Sequence, residues 1–127
     1  MLRIFNSHHP ARHAKSFKHA FQGLFHALLN EANFRIQVAY SVLVVVIGFS
    51  LQISPIEWGL LILSLGFLLS AEMVNTVVEE LIDHLIKEYH EGARIIKDVS
   101  AGFVLTAAFT TLAISLLIFA PKIMALL

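Results

Sequence analysis

The stretch from Ala71 to Asp83 limits this chain more than any other. It continues an apolar run, Leu60 to Ala71, yet it carries Glu72, Asn75, Glu79 and Asp83 at offsets of three, seven and eleven residues. On a helix those offsets share one face. At about 1.5 Å per residue the ladder climbs about 16 Å from Glu72 to Asp83. The run before it is apolar enough for a bilayer, so Glu72 falls where a carboxylate is costly. Ionisable groups in spanning helices are rare and mark functional positions by default.

Composition supports the membrane reading. Hydrophobic residues make up 57% of the 127 positions and charged residues 14%, against roughly 25% charged in soluble domains. The length suits one domain, over 1–127. Formal net charge is zero, so no overall field draws nucleic acid. The chain has no cysteine, which excludes disulfides and thiolate metal sites. The first dozen residues are basic and His-rich and do not resemble a cleavable signal peptide.

Residues 1–10 read as a flexible basic tail. His8, His9 and His13 show no spacing of a closed metal site, and a solvated tail is the simpler reading. Over 11–30, Phe17, Phe21, Leu24, Phe25 and Leu28 recur at helical spacing, with Lys15, Lys18, His19, Gln22 and His26 elsewhere on the wheel. Such a helix suits a membrane interface; packing on a soluble core is the alternative. Three apolar runs follow, over about 34–53, 56–76 and 99–120, each near the roughly 20 residues a span requires. Ser54, Pro55 and Glu57 spell a helix start with a capping box, beside an interfacial Trp58. Residues 84–97 read as a polar link bending at Gly92, with Lys97 and Asp98 before the third span, where Asp98 either caps the helix or favours its positive end. Pro121 and Lys122 mark its exit. The expected fold is therefore an all-α membrane protein, an N-terminal amphipathic surface helix plus three transmembrane helices.

Arg3, Arg12, Lys15, Lys18 and Arg35 precede the first span, and Lys87, Arg94 and Lys97 separate the second from the third. The positive-inside rule makes the N-terminus and the second loop cytoplasmic. Glu31, the ladder and the Lys97–Asp98 pair then gather at one interface. Three spans enclose no large aqueous space alone, so a homo-oligomer is expected. Ala101, Gly102, Ala107 and Ala108 would permit close helix approach.

Carboxylates without Cys or His ligands suit a hard cation such as magnesium, held together with substrate phosphates. A nearby lysine can neutralise phosphate charge, and a deeper glutamate can take a proton from an alcohol. Those parts match phosphoryl transfer to a hydroxyl, and the membrane setting makes that hydroxyl a lipid's. A small proton- or ion-coupled transport subunit using the same acidic ladder is the competing reading. No G-x-x-x-x-G-K-[ST] loop is present, so a nucleotide would have to be held another way.

Two motifs carry a family resemblance. One is Asn30-Glu31-Ala32-Asn33-Phe34-Arg35. The other runs Glu72-x-x-Asn75-Thr76-x-x-Glu79-x-x-x-Asp83, then Glu88-Tyr89-His90 and Lys97-Asp98. Together they resemble the prokaryotic diacylglycerol kinase family, the small integral-membrane lipid kinases of bacteria, with a lean toward its undecaprenol-kinase branch. The resemblance covers nearly the whole chain from about Arg12. It implies a homotrimer in the bacterial inner membrane that transfers the ATP γ-phosphate, with Mg2+, to undecaprenol or diacylglycerol. It makes Glu72 the general base, with Asn75 beside it and Asp83 a functionally important acid. Glu31 and Glu79 become the metal carboxylates, and Glu88, Tyr89, His90, Lys97 and Asp98 nucleotide contacts. Arg12 falls at a family arginine in poorly matching surroundings, and His19 stands where an aromatic ring beside the nucleotide is expected.

Overall fold

The computed structural model describes the backbone of residues 10–126 and the side chains of residues 13–126. Arg12, His8 and His9, singled out above, have side chains outside the described residues. Four helices follow one another: α1 Pro10–Asn30, α2 Ala32–Ser50, α3 Pro55–Leu85 and α4 Glu91–Met124. The last three are long and apolar enough to cross a membrane. On α1, Phe17, Phe21 and Phe25 are exposed, as an interfacial helix requires.

Each boundary has a local cause. Between α1 and α2 only Glu31 leaves the helical region, with φ −98° and ψ 113°. The Arg35 guanidinium donates to the Leu29 carbonyl at 2.8 Å, and the Asn30 amide to that of His26 at 2.8 Å. The Leu29 carbonyl, one of the four that the end of α1 leaves free, is thereby satisfied. Helix α2 ends in a Schellman turn: Gln52 N–H donates to the Phe49 carbonyl and Ile53 N–H to that of Gly48. Gln52 takes φ 50°, in the left-handed region. The expected capping box then opens α3. Glu57 N–H donates to Ser54 Oγ and Ser54 N–H to Glu57 Oε2.

The core lies chiefly between α3 and α4. Leu61, Leu65, Leu68 and Ala71 are buried on α3, and Ala107, Ile118 and Phe119 on α4. Of the small residues expected to allow close approach, Ala107 is fully buried, whereas Ala101 and Gly102 are exposed. Thr111 Oγ1 donates to the Ser64 carbonyl at 3.1 Å, joining the two helices at mid-span. Tyr40 adds α2 through a 2.8 Å bond to Ser115 Oγ. At the end away from the acidic ladder, Lys122 pairs with Glu57 at 3.2 Å.

Helix α3 stops at Leu85, and Lys87 turns back to donate to the Asp83 carbonyl at 2.7 Å. Two expected boundaries are corrected. Helix α4 begins at Glu91, so Gly92 is no bend and Asp98 no cap. The cap is His90, whose Nδ1 accepts from Gly92 N–H at 3.1 Å. A Cβ on residue 92 would come within 3.0 Å of that ring, so glycine leaves room for it. Pro121 lies within the final turns of α4, which runs on to Met124; near an end, the missing N–H removes only one bond.

Candidate functional site

The ladder emerges from the core along α3. Glu72 is 2% exposed and Asn75 7%. Glu79 is half-buried and Asp83 exposed. Two hydrogen bonds fix the deeper rungs. Gln37 Nε2 of α2 donates to Glu72 Oε2 at 2.8 Å, and Asn75 Nδ2 donates to Glu79 Oε1 at 3.1 Å. These four side chains line a cleft of about 370 Å³ whose apolar wall is Val104, Leu105 and Ala108 of α4. Gln37 Oε1 and Asn75 Oδ1 are buried there without a donor among the described residues. An unmet buried acceptor costs about 1–3 kcal/mol, so the cleft favours a ligand that brings a hydroxyl.

Gln37 escaped the sequence reading. Its signal was an amide inside an otherwise apolar span, where a partner on another helix is expected.

Glu31 is half-buried at the α1–α2 junction; it holds the N-cap position of α2, but its side chain makes no capping hydrogen bond. Glu31 lines neither cavity, whereas Glu79 lines the buried cleft with Glu72. No group of three or more His, Asp or Glu side chains among the described residues forms a ready metal cage. The donor set of Glu31 and Glu79 still fits magnesium, which binds one or two carboxylates and keeps water and phosphate oxygens elsewhere.

A second cavity, of about 330 Å³, opens where α3 ends and α4 begins. It gathers Asp83, Glu88, Tyr89, His90, Lys97 and Asp98, all six candidate residues of that region, together with Arg94. Lys97 Nζ donates to both oxygens of Asp83, at 2.9 and 3.1 Å. That hydrogen bond raises the Lys97 pKa, so its ammonium stays charged at neutral pH. The early start of α4 brings these groups together: Ala93 is buried and anchors the first turn. His19 lines neither cavity; its Nδ1 lies 3.1 Å from Gln22 Oε1 on the exposed side of α1. Glu80 is exposed and paired with His84 at 3.4 Å, as a solvated face residue.

The chain is similar to characterised proteins over most of its length. The model of the family described as prokaryotic diacylglycerol kinase matches residues 18–119. An undecaprenol kinase of Bacillus subtilis is 37% identical over 112 residues, covering 88% of this chain and 91% of the relative. A diacylglycerol kinase of Synechocystis is 31% identical over 88% of this chain, which spans 65% of that relative's length. A diacylglycerol kinase of Escherichia coli K12 is 34% identical over 73% of this chain and 76% of its own. With the ladder, both cavities and both motifs inside the matched region, this chain belongs to the prokaryotic diacylglycerol kinase family.

Proposed function

We propose that the two cavities divide one phosphoryl transfer between them, the buried cleft receiving a lipid alcohol and the exposed pocket a nucleotide. The chain is an ATP-dependent membrane lipid kinase by its family. The observation that carries the division of roles is the burial gradient on α3, from the 2%-exposed Glu72 to an Asp83 exposed beside Lys97. About 16 Å of helix separates those two side chains' positions.

In this reading the lipid hydroxyl enters the cleft and donates to Glu72. Asn75 and Gln37 supply the remaining polar wall, and the apolar side of α4 excludes water. Glu72 accepts the hydroxyl proton as the alcohol oxygen bonds to the γ-phosphorus and the bond to the ADP oxygen breaks. Gln37 holds the carboxylate in one orientation for that transfer. Glu31 and Glu79 would hold Mg2+, which when bound offsets charge on the phosphates. Lys97 and its neighbours position the triphosphate.

The acceptor we favour is undecaprenol, after the relative whose alignment covers most of both chains. The family resemblance implies a homotrimer, and α3 supports self-association. Leu63, Phe67, Ser70, Val74, Val77 and Leu81 alternate at steps of three and four and are all exposed, the spacing of a left-handed helix seam. We place the two cavities and the N-terminus on the cytoplasmic side of the inner membrane, where the positive-inside rule puts them. No observation favours the transport reading.

The test is purified protein with labelled ATP, assayed in parallel on undecaprenol and diacylglycerol. Faster phosphorylation of undecaprenol is expected. Preference for diacylglycerol would overturn the substrate assignment, and transfer to neither would overturn the function.

A further inference from the structure

Arg94, counted in the sequence only among the positive charges between the second and third spans, sits at the centre of a four-residue chain beside the nucleotide pocket. Its Nε and NH2 grip the Glu91 carboxylate at 3.1 and 2.6 Å. Its NH1 donates to Asp98 Oδ2 at 2.6 Å. The other end of the chain is Tyr89, whose phenol donates to the same Glu91 oxygen as the Arg94 Nε. We propose that Arg94 is a positioning residue of this pocket, which orients Asp98 directly and Tyr89 through Glu91 to receive a nucleoside triphosphate. The proposal rests on the nucleotide reading of the pocket.

Three observations point to positioning rather than to support of the fold. Exposed pairs three or four residues apart on a helix contribute only about 0.2–0.5 kcal/mol each. Helix α4 is already capped by His90 and anchored by buried Ala93, so it does not depend on them. Tyr89 is 81% exposed, so its ring is directed by the bond to Glu91 rather than by packing. Charge gives the third. Asp83, Glu88, Glu91 and Asp98 surround the region, against Lys97 and Arg94. Asp83 holds Lys97, and among the described residues Arg94 is the one cation paired with both Glu91 and Asp98. Without it a polyanion would meet two carboxylates with no cation paired to either. A lysine supplies the charge but not the two-pronged fork.

The experiment uses the full chain in detergent micelles with saturating lipid. Arg94→Gln should raise the KM for ATP about tenfold, the scale of one lost charge-assisted hydrogen bond, while kcat changes far less. Its unfolding temperature and its size in detergent should match the parent. Arg94→Lys should fall between the two. Tyr89→Phe keeps the ring but cuts the link, so it should raise the KM in the parent and add nothing in the Arg94→Gln background. A parental KM in Arg94→Gln would overturn the proposal, as would additive effects of the two substitutions. Lys97→Met separates the two levels of inference. If it raises the KM while Arg94→Gln does not, only the role of Arg94 falls; if it leaves the KM at the parental value, the nucleotide reading falls with it.

Discussion

Gln37 on α2 reaches across to Glu72 on α3 and donates one amide hydrogen to it at 2.8 Å, while its own carbonyl oxygen has no donor among the described residues. The amide therefore orients the carboxylate and presents an acceptor to whatever enters. Gln37→Leu removes both functions with little change in volume. We expect kcat to fall about tenfold, the scale of one hydrogen bond to a charged group, with the KM for ATP unchanged. Steady-state kinetics on the purified variant check this; an unaltered kcat would mean that Glu72 needs no such orientation.

Glu72→Gln retains shape and most hydrogen bonding but cannot take a proton. Turnover should drop by about 10²–10⁴, the usual range for a general base. Nucleotide binding should survive, since the pocket lies turns away along α3. Equilibrium binding of Mg-ATP alongside the kinetics separates these outcomes.

The metal assignment makes a converse forecast. Glu31→Ala and Glu79→Ala should each weaken Mg-ATP binding measured by calorimetry, and chelation of divalent cations should abolish transfer in the parent. Normal Mg-ATP affinity in both variants would remove these carboxylates from the metal site.

The turn between α2 and α3 offers a test of stability alone. Gln52 occupies the left-handed position of the Schellman turn, where a side chain costs about 1–2 kcal/mol. Gln52→Gly should raise the unfolding temperature in detergent. Gly48→Ala should lower it, because the new Cβ would stand 2.9 Å from the Trp58 ring, and overpacking costs about 1–3 kcal/mol. Neither position touches the cavities, so kcat should hold in both.

Much of this was legible in the residues. The ladder was visible because helical offsets alone align Glu72 with Asp83, and the Ser54 box because capping is local. The start of α4 was not, since histidine is an unusual cap and glycine after it reads as a break. Only the folded chain shows that Gly92 makes room for the His90 ring. Gln37 was missed because its meaning depends on a partner 35 residues away. Arg94 was missed for the opposite reason. Its partners are near in sequence, and such pairs usually do no more than decorate a solvated helix.

One residue, Glu31, separates α1 from α2. A joint that short has no slack. Any ligand that immobilised the Glu31 carboxylate would also lock the angle between the amphipathic helix and the first span, so loading the enzyme and setting the tilt of its outer helix would become a single event.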